Sequence, residues 1–154
     1  MKLREIRELK AIVESLKKKG KKIVFTNGCF DILHPGHIYL LKTAKSYGDV
    51  LIVGLNSDSS ISKIKPNRPI LPQSARIEVL SSIAMVDYIV VFDDETPLDL
   101  IKEIGPNILV KGGDWKEDEV VGRDFADCVK IIDYIPGWST SGIIEKIKKE
   151  ADLF

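Results

Sequence analysis

Hydrophobic positions follow two rhythms along this chain. Leu3, Ile6, Leu9, Ile12, Val13 and Leu16 recur at spacings of three and four, which predicts an amphipathic helix ended by Gly20. The lysines at 17 to 19 suit the C-terminal end of that helix. Beyond it the apolar residues gather into short runs at 22–26, 50–55, 88–92, 108–110 and 129–132, each predicted to be a strand. Helices are predicted between them: 37–47, then 72–84 with Pro72 in its first turn, then one capped by Thr96-Pro97 and running through 104. A last helix is predicted over 143–149, with Ser139 as its cap. Residues 56–70 read as a polar loop carrying Lys63, Lys65 and Arg68.

The strand runs are continuously apolar rather than alternating, and they alternate with helices. That is the signature of a parallel sheet covered on both faces. The expected class is therefore α/β: a Rossmann-like, doubly wound sheet of about five parallel strands with helices on both faces. One domain is expected over residues 1–154, with a leading amphipathic helix at 1–20 and the sheet core at 21–154. In such a sheet the C-terminal ends of all strands share one edge, where ligands bind. The segments that fall there, 27–37, 56–68, 111–115 and 136–141, are the richest in Gly, Asn, His and Lys.

Charge narrows the function. Lys and Arg number 23 and Asp and Glu number 23, a net charge of zero, which argues against a general nucleic-acid binder. No apolar run approaches the roughly 20 residues needed to cross a bilayer, so no membrane insertion is expected. Cys29 and Cys128 are far apart and lack metal-like spacing, and the charged N-terminus is no signal peptide. A reduced, cytoplasmic setting is expected.

The chemistry concentrates in one strand-to-helix turn. Residues 26–37 read Thr-Asn-Gly-Cys-Phe-Asp-Ile-Leu-His-Pro-Gly-His and hold both histidines of the chain, His34 and His37, three residues apart. A helix N-terminus offers unpaired N–H groups and partial positive charge, a natural seat for phosphate. Gly36 lets backbone come close to a ligand, and the imidazoles can donate to phosphoryl oxygens. A metal pair is the competing reading, but the Pro35-Gly36 spacer is unlike the spacing used on metal-binding helices, and a third ligand, for which Asp31 is the candidate, would be needed. No GxxxxGK[ST] occurs, so this is not a P-loop. Phosphoryl or nucleotidyl chemistry is the expectation.

The pattern Gly28-x-Phe30-Asp31-x-x-His34-x-Gly36-His37 resembles the HxGH signature of the cytidylyltransferase-like nucleotidyltransferases. Gly137-Trp138-Ser139-Thr140-Ser141 resembles the C-terminal serine/threonine motif of that superfamily. The similarity runs nearly the whole length. It is closer still to the branch that makes ADP-heptose from heptose 1-phosphate, often fused behind a sugar kinase. It is carried there by the leading helix, Asn56-Ser57-Asp58, Glu95-Thr96-Pro97 and Val110-Lys111-Gly112-Gly113-Asp114-Trp115. The superfamily often carries an arginine shortly before the motif's glycine; residues 133–136 here hold none, which separates the chain from the glycerol-phosphate cytidylyltransferases.

The resemblance implies transfer of AMP from ATP onto D-glycero-β-D-manno-heptose 1-phosphate for lipopolysaccharide core or a related glycan, by a form lacking the kinase half. It implies catalytic roles for His34, His37, Lys63 and Lys65. It implies nucleotide contacts from Thr26, Asn27, Gly28, Cys29, Phe30, Gly36, Arg76, Gly112, Gly113, Asp114, Ser139, Thr140 and Ser141. Asp31, Asn56 and Lys111 would meet the acceptor. Mg²⁺ would arrive with ATP, without a protein-held metal site. The implied partners are ATP and a sugar 1-phosphate, with a homodimer and a separate sugar kinase of the same pathway also admitted. Three competing readings are a cytidylyltransferase acting on glycerol phosphate or another alcohol phosphate, a flavin-nucleotide synthase, and a non-catalytic nucleotide sensor.

Overall fold

The chain's five apolar runs pair into one sheet in the computed structural model, which describes residues 1–151. The strands are β1 (Ile23–Gly28), β2 (Val50–Asn56), β3 (Tyr88–Phe92), β4 (Ile108–Gly112) and β5 (Cys128–Ile132). They lie in the order β3-β2-β1-β4-β5, and every pairing is parallel. β1 is central, in register with β2 from Ile23↔Val50 to Gly28↔Leu55 and with β4 from Val24↔Ile108 to Thr26↔Val110. The chain winds outward from β1 to β3, then returns to place β4 on the other side of β1. The gap beyond the C-terminal ends of β1 and β4 is thus the topological switch point, where a doubly wound sheet opens a ligand crevice.

The helices are α1 (Ile6–Lys18), α2 (Pro35–Ser46), α3 (Asp58–Ile64), α4 (Gln73–Ser81), α5 (Leu98–Ile104) and α6 (Thr140–Ala151). Alternate residues of β1 face opposite cores. Ile23 and Phe25 join Leu9 and Val13 of α1 and Leu100, Ile101 and Ile104 of α5 on one face. Val24 joins Leu41 and Ala44 of α2 and Leu80 of α4 on the other. Sealing a Leu, Ile or Val side chain of this kind contributes roughly 1.5–3 kcal/mol, so both layers hold the sheet firmly.

Several elements differ from the sequence expectation, each for a local reason. Leu3 leaves the helical stripe and bridges in parallel to Ile89, with Arg4 N–H donating to the Ile89 carbonyl at 2.9 Å. Residues 56–70 are not loop throughout, because α3 forms inside them. Ser57 caps α3 by accepting the Ser60 N–H at 3.1 Å, and Ser60 and Ile61 are buried under it. Pro97 rather than Thr96 stands at the N-cap of α5, and no side chain caps it. α6 begins at Thr140, directly after Ser139, whose hydroxyl accepts the Gly142 N–H at 3.0 Å.

Candidate active site

The site opens at the switch point, where β1 ends and α2 begins. His34 is the N-cap of α2, and its Nδ1 accepts the Gly36 N–H at 3.1 Å. His37 lies one turn on, and its Nδ1 faces the His34 N–H at 3.4 Å, a long reciprocal contact. With each Nδ1 occupied as an acceptor, the ring proton sits on Nε2, and both rings present an Nε2–H outward. The two rings are 3.9 Å apart between centroids. Two imidazolium ions could not share that space without strong repulsion. Burial draws both pKa values below the ordinary 6.5, and burial together with His34 and Lys65 brings His37 to about 4. At neutral pH the pair is therefore two neutral donors. Gly36 makes this geometry accessible, because a Cβ there would stand 2.9 Å from Cε1 of the His34 ring.

Two cavities flank the pair. The larger, about 640 Å³, runs from His34 and Gly36 past Gly112 and residues 132–142. The smaller, about 90 Å³, lies against Cys29, Phe30, Asp31 and Ile61. His37, Lys65, Arg68 and Thr140 line both and so form the wall between them. Lys65 is the C-cap of α3, and its charge opposes the cationic forms of His37 and Lys111 and favours the thiolate of Cys29. The net effect on Cys29 is nonetheless upward, because burial outweighs the neighbouring cations and keeps the thiol protonated. Trp138 stacks beside His34 at 6.4 Å between centroids and 20° between planes. Tyr134 covers Gly113, whose φ of 107° and lack of a Cβ admit the phenol ring.

Of the expected site residues, the structure gathers His34, His37, Gly36, Lys65, Gly112, Ser139, Thr140 and Ser141 around the larger cavity, and Cys29 and Phe30 around the smaller. Asn27 and Gly28 are half-buried at the β1 end without lining either, and Gly113 is buried beneath Tyr134. Lys111 is half-buried with Nζ 5.1 Å from the Trp115 ring, and burial is the main cause lowering its pKa.

Other expected contacts are taken up by the fold itself. Lys63 points away and donates to the Asp93 carbonyl at 3.2 Å. Arg76 is 1% exposed. Its guanidinium donates to the carbonyls of Leu71, Cys29 and Asn56 and to the Asp58 carboxylate, so it ties the ends of β1 and β2 together. Asn56 is buried with its side-chain amide on Ser60. Asp31 is 4% exposed, and its carboxylate accepts from the Ile70 and Leu71 N–H groups and from Arg68. Thr26 is sealed in the core, its hydroxyl without a partner among the described residues. Asp114 is exposed and lines neither cavity.

Among the wall residues outside the expected contacts are Arg68, Tyr134 and Trp138. The aromatics carried a sequence signal, since Tyr134 lies shortly before the serine/threonine motif and Trp138 within it. Arg68 was visible only as one charge in a polar segment.

A parallel sheet of this order, with paired histidines opening α2 and a serine/threonine turn opening α6 over the same crevice, defines a nucleotidyltransferase-type fold. The cytidylyltransferase-like family matches residues 25–145, and the chain belongs to that family. Among its relatives, bifunctional protein HldE from Nitratiruptor sp. is 52% identical over 95% of this chain and 32% of its own length. Bifunctional protein HldE from Campylobacter concisus is 54% identical over 96% of this chain and 31% of its own length. The chain thus spans about a third of these curated relatives. A crystal structure of a lipopolysaccharide core biosynthesis protein from Thermoplasma volcanium superposes with a TM-score of 0.62 at 31% identity, covering 75% of this chain and 98% of that one. Among the described residues no helix is long and apolar enough to cross a membrane.

Proposed function

We propose that this chain transfers AMP from ATP to D-glycero-β-D-manno-heptose 1-phosphate, giving ADP-heptose and pyrophosphate. The observation that carries the transfer step is the neutral His34/His37 pair, two Nε2–H donors fixed by backbone at the N-terminus of α2 and backed by Lys65. An oxygen of the acceptor phosphate attacks the α-phosphorus. The bond from that phosphorus to the oxygen bridging to the β-phosphate breaks, and pyrophosphate leaves in line. The acceptor phosphate is ionised at neutral pH, so no side chain need remove a proton. Catalysis then rests on donors fixed where charge builds, and such donors need no reorganisation during the reaction.

The larger cavity, about 640 Å³, has room for a nucleotide; in this reading the phosphates lie at the openings of α2 and α6 and the base toward Gly112 and Ile132. Magnesium belongs to the substrate in this reading. The Asp31 carboxylate at the smaller cavity is filled by backbone donors, so the ion enters as MgATP.

The choice of adenine and heptose is supported by similarity rather than by site geometry. It rests on the HldE relatives and on the lipopolysaccharide core biosynthesis protein from T. volcanium, together with the resemblance carried by residues 26–37 and 110–115. The test is pyrophosphate release and product mass with ATP or CTP against heptose 1-phosphate or glycerol 3-phosphate. ATP with heptose 1-phosphate should be the fastest pair. Faster turnover of CTP with glycerol 3-phosphate overturns the reading, and nucleotide binding without turnover of any pair makes the chain a sensor.

A further inference from the structure

The segment joining α3 to α4 crosses the mouth of the site and delivers a guanidinium there. Its backbone is pinned by one carboxylate, because Asp31 accepts the Ile70 N–H at 2.8 Å and the Leu71 N–H at 2.8 Å. Arg68 then reaches over the gap. One nitrogen lies 3.4 Å from the Asp31 carboxylate, and the other donates to the Ser141 hydroxyl in the first turn of α6 at 3.2 Å. Its side chain is only 15% exposed. Residues 73 positions apart thus meet over the crevice.

The two cavities differ in kind. The larger takes a nucleotide; the smaller, at about 90 Å³, has room for a single tetrahedral anion and not for a nucleoside. In an in-line displacement the nucleophile enters opposite the leaving group, so acceptor and pyrophosphate need seats on opposite sides of the α-phosphorus. The wall of His37, Lys65, Arg68 and Thr140 is where the α-phosphorus would stand, with one seat on each side. Arg68 is the member of that wall whose planar fork suits a phosphate held by two oxygens.

Resting on the nucleotidyl-transfer reading above, we propose that the small cavity seats the phosphate of the acceptor and that Arg68 is the residue that binds it. Asp31 is a positioning residue. It fixes the strap that carries Arg68 and shares the guanidinium until the substrate phosphate takes it over.

The test compares wild type with Arg68→Gln, Arg68→Lys and Asp31→Asn. Turnover is measured against heptose 1-phosphate and ATP varied separately, and ATP binding is followed by calorimetry. Arg68→Gln should raise KM for the acceptor about tenfold or more while the Kd for MgATP stays within about twofold, because a guanidinium–phosphate pair is lost at one substrate only. Arg68→Lys should recover part of that loss. Asp31→Asn should raise the same KM, and should add little when Arg68→Gln is already present, since the two act through one contact. An unchanged acceptor KM in a folded Arg68→Gln overturns the assignment. So does a weakened ATP Kd with an intact acceptor KM, which would move Arg68 to the triphosphate. If Arg68→Gln fails to fold, Arg68→Lys decides alone, and an acceptor KM equal to wild type overturns the proposal. A wild-type protein that binds ATP but turns over no sugar 1-phosphate is a failure of the functional reading instead, and calorimetry with inorganic phosphate then tests the seat directly: tighter binding to wild type than to Arg68→Lys sustains it, and equal binding overturns it.

Discussion

His34 and His37 are donors because of what holds their other nitrogens. Backbone N–H groups occupy both Nδ1 atoms, and burial keeps both rings neutral. His37→Ala should therefore lower turnover by roughly 100- to 1,000-fold with the far-ultraviolet spectrum unchanged, the usual cost of removing one preorganised donor. The same burial ties His37 to stability. Its folded pKa of about 4 lies below its usual 6.5, so the stability it lends as a neutral ring is complete above pH 6.5 and is lost as pH falls through about 4. Urea midpoints of wild type should fall more steeply over that window than those of His37→Gln; parallel profiles would mean that the ring is not held neutral. The lysines separate in the same way. Lys65 faces both cavities while Lys63 is turned to the Asp93 carbonyl, so Lys65→Ala should cost about 100-fold in turnover and Lys63→Ala only a few-fold. The spacing of the histidines was legible from residue order alone. Which of two lysines, two positions apart, enters the site was not. That depends on the helical phase of α3, and its serine-rich sequence shows no periodicity.

At the scale of elements, strands were easier to read than connections. A strand buried on both faces announces itself as an apolar run, and β3 matches its expected span of 88–92. α3 is short and polar and is held by Ser57 and by buried Ser60 and Ile61, features that only tertiary packing makes decisive. Arg76 illustrates the same limit. On a helix it could have faced solvent or phosphate, and its place under the ends of β1 and β2 depends on carbonyls from three separate segments. Arg76→Ala should thus act through folding. It leaves three main-chain carbonyls without their donor and should cost about 3 kcal/mol or more in urea denaturation, since each buried acceptor left unpaired costs about 1–3 kcal/mol. A variant of native stability with weakened nucleotide affinity would return Arg76 to the phosphates. Amide exchange offers a second check on the connections. Ile70 and Leu71 should be protected without ligand because Asp31 accepts their N–H groups, and Asp31→Ala should release both.

Over the whole molecule, sheet order converts a linear pattern into a site. Winding from β1 to β3 and back to β4 brings the end of β1, the strap after α3, the end of β4 and the start of α6 to one edge. Alternation of strands and helices foretold that edge, and the Gly-, His- and Lys-rich segments do meet there. Contacts made across it, such as Arg68 to Ser141, follow only from the folded geometry. Because the carboxylate at the small cavity is occupied by backbone, the metal requirement should follow the nucleotide. Excess EDTA should abolish turnover, and the Mg²⁺ dependence should track formation of MgATP rather than titrate a separate protein site.

AMP transfer to a sugar phosphate can be followed at both of its products. Its most direct measurement is pyrophosphate release from ATP and MgCl₂ with heptose 1-phosphate, with the sugar product identified by mass. ADP-heptose formed in step with pyrophosphate, faster than any product from CTP and glycerol 3-phosphate, is the result expected. Pyrophosphate release independent of the sugar phosphate, or a preference for CTP and glycerol 3-phosphate, would contradict it.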